Sequence, residues 1–429
     1  MIFKFYYENF KSFEKAELSM SQFTTLIGTN ASGKSNAIEG IKIHSMVMTG
    51  MDLTAILDGT HSIEPLIRGG SRGCKRFRTG AFKLGCRLAS HVQGKDILYE
   101  IKIGVNGRVL LEEEGLFVID SNDEVGRGDK IFKTKAFSKD SSDIKVEYNN
   151  GKRGKNPDLL CSRTSAILPQ MVNRIPRESD DENLYAKYME KTIHVLGRIL
   201  VLNPDPVMMR NYCRKTDVEL RANCENISAV LYDLCKNERK KKQILDFMRR
   251  LPENEIIDID FVGTRLGDVI FAMKERYLSS SELVDAKNLS DGTLRCIAIL
   301  AAVLSVKEDS IVVVEEVDNG VHPSRLTELV RILYEIVAEN NSDVVITTHN
   351  DGMIDRYNKD EIAGVSVIYR EIEKGTSKIM PLTELQELPE VLVNGGVGRA
   401  MIDRKLIEVV KDSKKEKKKD DYSWLEITV

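Results

Sequence analysis

Residues Gly28-Thr29-Asn30-Ala31-Ser32-Gly33-Lys34-Ser35 satisfy the pattern GxxxxGK[ST] in full. The β-branched run FTTLI precedes them, and apolar residues at helical spacing (Ile38, Ile41, Met46) follow. Phosphate binding needs that context. Glycines let successive backbone N–H groups curl around phosphate oxygens, and the following helix turns its positive end towards them. In this pattern Lys34 reaches the β- and γ-phosphates of a nucleoside triphosphate, the Ser35 hydroxyl holds Mg2+, and Asn30 and Gly33 shape the cradle. A phosphate loop alone fits kinases, GTPases, helicases and transporter engines alike.

The discriminating residues lie far downstream. In Leu289-Ser290-Asp291-Gly292-Thr293, Ser290 is placed to cap a helix and Gly292 keeps the backbone bare at its start, the makings of a second phosphate cradle. The apolar run Ile311–Val314 then ends in Glu315-Glu316. Carboxylates at the tip of a buried strand are costly unless they meet a cation or water. Downstream of a phosphate loop, Glu315 would assist Mg2+, and Glu316 would orient or deprotonate the attacking water. The run ending at Thr348 leads into His349, where an imidazole could sense the γ-phosphate.

These residues need strands to carry them. IVVVEE and DVVITTHN are continuously rather than alternately apolar, which suits parallel strands covered on both faces. FKLGCRLASHV, DILYEIKIGV, RVLLEEEGLFVI and DIKVEY are short alternating segments split by turns and predict a β-meander over about 80–150. From about Glu182 to Leu251 the period turns helical, as in ENLYAKYMEKTIHVLGRILVL and KKQILDFMRRL. The expected organisation is an ATPase-type lobe begun by 1–80, a β-meander at 81–160 and a mainly helical insertion lobe at 161–285. Residues 286–395 return to the lobe, and 396–429 carry the lysine-dense stretch KDSKKEKKKDD.

The chain has 429 residues, 42% hydrophobic and 30% charged, enough for more than one globular core. No apolar run approaches a membrane span and the first residues do not resemble a secretory signal, so a cytoplasmic location is expected. Sixty-three Lys+Arg against 66 Asp+Glu give a net charge of −3, so any nucleic-acid footprint must be local. Seven cysteines without a CxxC pair argue for ordinary thiols rather than disulfides or zinc, and the eleven-residue spacing of Cys213, Cys224 and Cys235 fits core positions best.

The order phosphate loop, LSDGT, VVVEE, THN resembles the ABC-type ATPase heads of the SMC and RecF group. With NFKSF, LNPDPVMMR, NISAVLYDL and EEVDNGVHP, the chain is most similar to the stand-alone, OLD-like AAA-family ATPases of bacterial anti-phage systems. The resemblance covers most of residues 1–395 and implies an α/β, P-loop head without a long coiled coil. It assigns Lys34 and Ser35 to Walker A, and Ser290 and Gly292 to a signature that reaches the γ-phosphate held by an opposite subunit. It places Glu315 at the Walker B metal position, Glu316 as catalytic base, His349 in the switch, and Asp318, Asn319 and His322 in the D-loop. Lys11 of NFKSF would approach the nucleotide. The chain departs from the family in Glu315, where Asp is usual, and in LSDGT, where LSGGQ is usual. Gln93 and Gln170 are both candidates for the Q-loop glutamine.

If each subunit supplies half a phosphate cage, the working unit is a homodimer around two ATP molecules. The resemblance then implies an ATP- and Mg2+-dependent sensor or scaffold of a defence system that controls a separate effector, a nuclease or toxin, since no Toprim or HNH pattern is present. A RecF-like DNA-repair clamp is the alternative, and a transporter subunit a weaker one. Basic clusters at Arg68–Arg78 with Phe77 inside, at Lys152–Lys155 and at Arg239–Lys242 keep nucleic acid as a candidate ligand.

Overall fold

In the computed structural model the described residues are 1–60, 65–122, 128–138, 141–174, 184–250, 255–277, 280–371 and 373–385. The lysine-dense stretch near the C-terminus lies outside them. The fold is mixed α/β, organised on a 14-stranded sheet. At one end, strands Ile199–Leu202, Ile311–Val314, Asp343–Thr347, Phe23–Ile27 and Val365–Glu371 run parallel in that order. The hairpin strand Thr376–Pro381 then joins them to Phe13–Ser19 and Ile2–Phe10. From there the sheet continues antiparallel through Ala81–Ala89, Lys95–Gly104, Leu110–Asp120, Asp129–Thr134, Asp143–Tyr148 and Asp158–Ser162.

Register explains why the scattered motifs meet. Leu202 pairs with Val314, Val314 with Ile346, and Thr347 with Leu26, so the parallel strands end side by side. The residues just past those tips are Gly28, Glu315 and His349. The C-terminal edge of a parallel sheet is where such folds hold ligands. These strands are buried throughout, which their unbroken Val and Ile content anticipates.

Helices cover the sheet. Helix Lys34–Val47 buries Ala37, Ile38, Ile41 and Val47 and comes so close to strand Ile2–Phe10 that a Cβ on Gly40 would stand 2.4 Å from the Tyr7 ring. The Tyr7 hydroxyl donates to the Ala37 carbonyl at 3.1 Å across the same contact. Helix Asp291–Ser305 is buried nearly all round, so its small and aliphatic residues (CIAILAAVL) suit a core rod. It packs with helices Ile227–Leu234, Glu238–Arg249 and Pro323–Asn340 in a second apolar cluster.

The stretch from 161 to 285 is less helical than expected. The helical period was read through Leu202, but the helix stops at Gly197 and Ile199–Leu202 is an edge strand of the main sheet. Glu255–Gly263, Asp268–Tyr277 and Ser280–Asp285 form a smaller antiparallel sheet with Cys213–Arg214. Cys213, Cys224 and Cys235 lie on a strand, in a loop and at a helix end, so no single helix carries them. The seven cysteines are free thiols, five of them buried. No helix among the described residues is long and apolar enough to cross a membrane.

Candidate nucleotide site

The loop from Gly28 to Gly33 is held in a shape that only glycine tolerates at two points. Gly28 has φ +151° and a Cβ there would fall 2.1 Å from the Ile368 carbonyl oxygen. Gly33 has φ +120°, and its Cβ would come within 2.9 Å of Ser377 Oγ. Gly33 caps helix Lys34–Val47 without a side-chain acceptor, so the first N–H groups of that helix remain open to a ligand. Asn30 sits exposed at the crown of the loop. Lys34 is buried; its Nζ donates to the carbonyls of Gly28 (2.6 Å) and Thr29 (3.3 Å) and lies 3.4 Å from His349 Nδ1.

Glu315 lies beside the Ser35 hydroxyl. Its carboxyl opens to the cleft, yet its pKa is raised, first by loss of water and then by the nearby Glu39 and Glu316 carboxylates; Ser35 and Arg68 pull the other way. Oxygen donors with surplus negative charge suit a hard divalent cation. Glu316 has a left-handed backbone, φ +49°, held by its N–H donating to Thr347 Oγ1 at 2.8 Å. A non-glycine residue in that region stores strain of order 1 kcal/mol and is common at working sites. The Glu316 carboxylate stands 3.8 Å from His349 Nε2, and the His349 N–H donates to the Asp318 carboxylate at 3.3 Å. Asn319 donates its N–H to the Glu316 carbonyl, and His322 caps helix Pro323–Asn340.

Ser290 and Gly292 sit at the start of helix Asp291–Ser305, away from Lys34's immediate contacts. Ser290 is the N-cap, accepting from the Thr293 N–H at 3.2 Å. A Cβ on Gly292 would meet the Gly320 carbonyl oxygen at 2.5 Å, so this glycine is also needed for packing against the loop after Glu316.

Lys11 lies beside the start of helix Lys34–Val47. Its Nζ pairs with Glu39 at 2.6 Å and donates to the Arg68 carbonyl at 2.8 Å, which makes it a brace behind helix Lys34–Val47. Gln170 is likewise engaged locally, with Ser162 and Ser165. Two of the four basic residues at Arg239–Lys242 are ion-paired, Arg239 with Glu339 and Lys241 with Asp258.

Several residues here carry no sequence signature. Ser377 Oγ donates to the Ser32 carbonyl at 2.5 Å, and the Ser377 N–H donates to the Ser12 carbonyl, so a C-terminal hairpin straps the loop. Asn36 holds Ser12 Oγ at 2.8 Å, and Glu39 accepts the Arg68 N–H at 3.0 Å.

Residues 215–355 match the model of a family described as AAA domain, putative AbiEii toxin, Type IV TA system. No curated protein matches the chain. Among solved structures, the chain is similar at 12% identity to an SMC head bound to the C-winged helix domain of ScpA, covering 88% of this chain and 96% of that one with a TM-score of 0.47. It is similar at 14% identity to the SMC head domain from Thermotoga maritima, covering 89% and 98% with a TM-score of 0.41. An Smc head with an extended coiled coil, bound to the C-terminal domain of ScpA derived from Pyrococcus furiosus, aligns at 12% identity over 91% and 98%, TM-score 0.46. The family match spans the signature, the Glu315-Glu316 tip and His349, and the phosphate loop lies outside it in sequence but beside it in the sheet. Residues 215–355 are thus similar to this AAA domain, and the phosphate loop lies beside them in the sheet.

Proposed function

We propose that the chain binds and hydrolyses ATP as the sensor or scaffold subunit of an anti-phage defence system, dimerising around ATP and controlling a separate effector, a nuclease or toxin. The observation that carries the reading is the meeting of Lys34, Ser35, Glu315, Glu316 and His349 at one sheet edge. The family description, with its toxin–antitoxin wording, supports the defence context.

In this reading the open N–H groups after Gly33 hold the β-phosphate, and Lys34 exchanges its loop carbonyls for phosphate oxygens. Ser35 and Glu315 would hold Mg2+, which when bound would offset charge on the phosphates. Glu316 takes a proton from the attacking water, and His349, placed between Lys34 and Glu316, contacts the γ-phosphate side. Ser290 and Gly292, which stand apart from Lys34, act on the ATP of a second copy. Hydrolysis then releases the closed state.

Glu316→Gln tests the chemistry: ATP binding stays while turnover falls at least about a hundredfold, the scale for losing a general base. Its native mass, purified with its neighbouring gene products, rises above that of the lone chain when ATP is added, with a second polypeptide present. Unchanged turnover, or a mass indifferent to ATP, would sink the proposal.

One observation favours the DNA-repair alternative. A groove of about 660 Å³ beside the phosphate loop is lined by Arg68, Lys75, Arg76, Arg78, Arg370 and Lys374. Phe77, 84% exposed, stands at it with the Arg78 guanidinium 5.4 Å from its ring. ATP-dependent binding of single-stranded DNA that weakens steeply with salt, by the chain alone, would decide for this reading.

A further inference from the structure

The last residue of the block LNPDPVMMR, Arg210, has been given no role so far and is built into the start of helix Asp291–Ser305. Strand Ile199–Leu202 ends beside Val314, the residue before Glu315, and the chain from there crosses to the signature through Asn203–Met209. That crossing is firmly mounted. The Asn203 and Asp205 N–H groups donate to the Ala222 and Asn223 carbonyls, Asp205 caps the short helix Pro206–Met209, and Met209 is fully buried.

At its end, one guanidinium nitrogen of Arg210 donates both to the Leu289 carbonyl at 2.8 Å and to the Asp291 carboxylate at 2.6 Å. Asp291 is the first residue of helix Asp291–Ser305, and its side chain is 64% exposed. A carboxylate there is favourable for an isolated helix, whose N-terminus is positive. It is unfavourable for a helix start that must receive a triphosphate, because like charges a few ångströms apart repel. Asp291 stands where the related signature carries glycine, so this chain has a charge to cancel.

We propose that Arg210 is a positioning residue for ATP hydrolysis: it neutralises Asp291 and pins the Leu289 carbonyl, so that the start of the signature helix can face the γ-phosphate bound to a second copy of the chain. This rests on the ATP-sandwich reading above. The salt bridge works within one chain, while its benefit falls on the ATP of the other.

The test compares Arg210→Ala with Arg210→Ala/Asp291→Asn in the full-length chain, reading ATP turnover and binding of a fluorescent ATP analogue. Arg210→Ala should lower turnover at least about tenfold, as for loss of one partner of a charge pair, with analogue affinity unchanged. Removing the stranded carboxylate should restore turnover to within about threefold of wild type, a rescue that a merely structural arginine would not show. Should Arg210→Ala fold poorly, Arg210→Gln keeps a donor for Leu289 and leaves Asp291 uncancelled, so the same loss and rescue apply. Unchanged turnover in the single variant, or no rescue when both proteins melt like wild type, would overturn the proposal. A separate mixture of Lys34→Ala with Ser290→Arg locates any failure, because mixed dimers contain one intact composite site. Regained turnover there with no Asp291→Asn rescue rejects Arg210 alone; no regained turnover rejects the sandwich and the Arg210 role with it.

Discussion

Two helix starts in this molecule are put together differently. At Lys34 the cap is a glycine with no side-chain acceptor, and the loop before it is braced by Ser377, Ser12 and Asn36. At Asp291 the cap is Ser290, which already satisfies the Thr293 N–H, and Arg210 screens the first carboxylate. In the proposed reading the first start, with open donors and a braced loop, binds phosphate by itself. The second has spent one donor on its own helix and can only add to a ligand already held. Capping is thus what, in the proposed reading, separates a primary cradle from a supplementary one.

Lys34→Ala should break the primary cradle most severely. Nucleotide binding should fall at least about a hundredfold, since a buried cation facing phosphate is lost; tight residual binding in a calorimetric titration would contradict the assignment. Gly292→Ala should disable the second start and spare the first. Its Cβ would stand 2.5 Å from the Gly320 carbonyl oxygen, so backbone must move. Turnover should drop about tenfold or more while analogue binding to the Lys34 loop holds, and a parallel loss of both would erase the distinction. Ser377→Ala should loosen the frame without removing a ligand contact, weakening nucleotide affinity by about fivefold for one lost hydrogen bond of about 1 kcal/mol.

An effect on stability rather than on nucleotide lies away from both starts, in the antiparallel half of the sheet. Glu114 accepts from the N–H groups of Ile167 (2.6 Å) and Leu168 (2.9 Å) and from the Tyr99 hydroxyl (3.1 Å), and burial pushes its pKa up to about 7. The folded protein therefore holds this proton longer than the unfolded chain, and the group's contribution declines as pH rises from the ordinary carboxyl range to about 7. His44, lowered to about 4 by burial, acts in the opposite sense but is common to both proteins compared. The melting-temperature advantage of wild type over Glu114→Gln should change between pH 5 and pH 8 by what a few kcal/mol produces. A pH-independent difference would show that the carboxyl does not titrate there.

Much of the parallel half was legible because its signals are local. FTTLI, IVVVEE and DVVITTHN announce strands by composition, and the loop glycines announce their backbone by spacing. Glu315, Glu316 and His349 could be named because each follows such a strand directly. What stayed hidden depends on pairing between distant segments. Ser377 lies 345 residues from its partner Ser32, and nothing around it marks it. Lys11 was legible as a residue near the loop but not as Glu39's ion-pair partner, since helical spacing does not say which face meets which neighbour. Strand Ile199–Leu202 was masked because four apolar residues directly after a helix continue its pattern, and only the stop at Gly197 separates them.

The hairpin that straps the phosphate loop bears on how the protein is made. Phe23–Ile27 leaves the ribosome well before its sheet neighbours Asp343–Thr347 and Val365–Glu371, and Ser377 comes later still. At about 5–20 residues per second, roughly 350 residues of synthesis keep that strand unpaired for tens of seconds. During that interval its two edges are open to pairing with any strand nearby. The loop after Phe23–Ile27, although synthesised long before its neighbours, is therefore among the last parts of the described fold to be assembled.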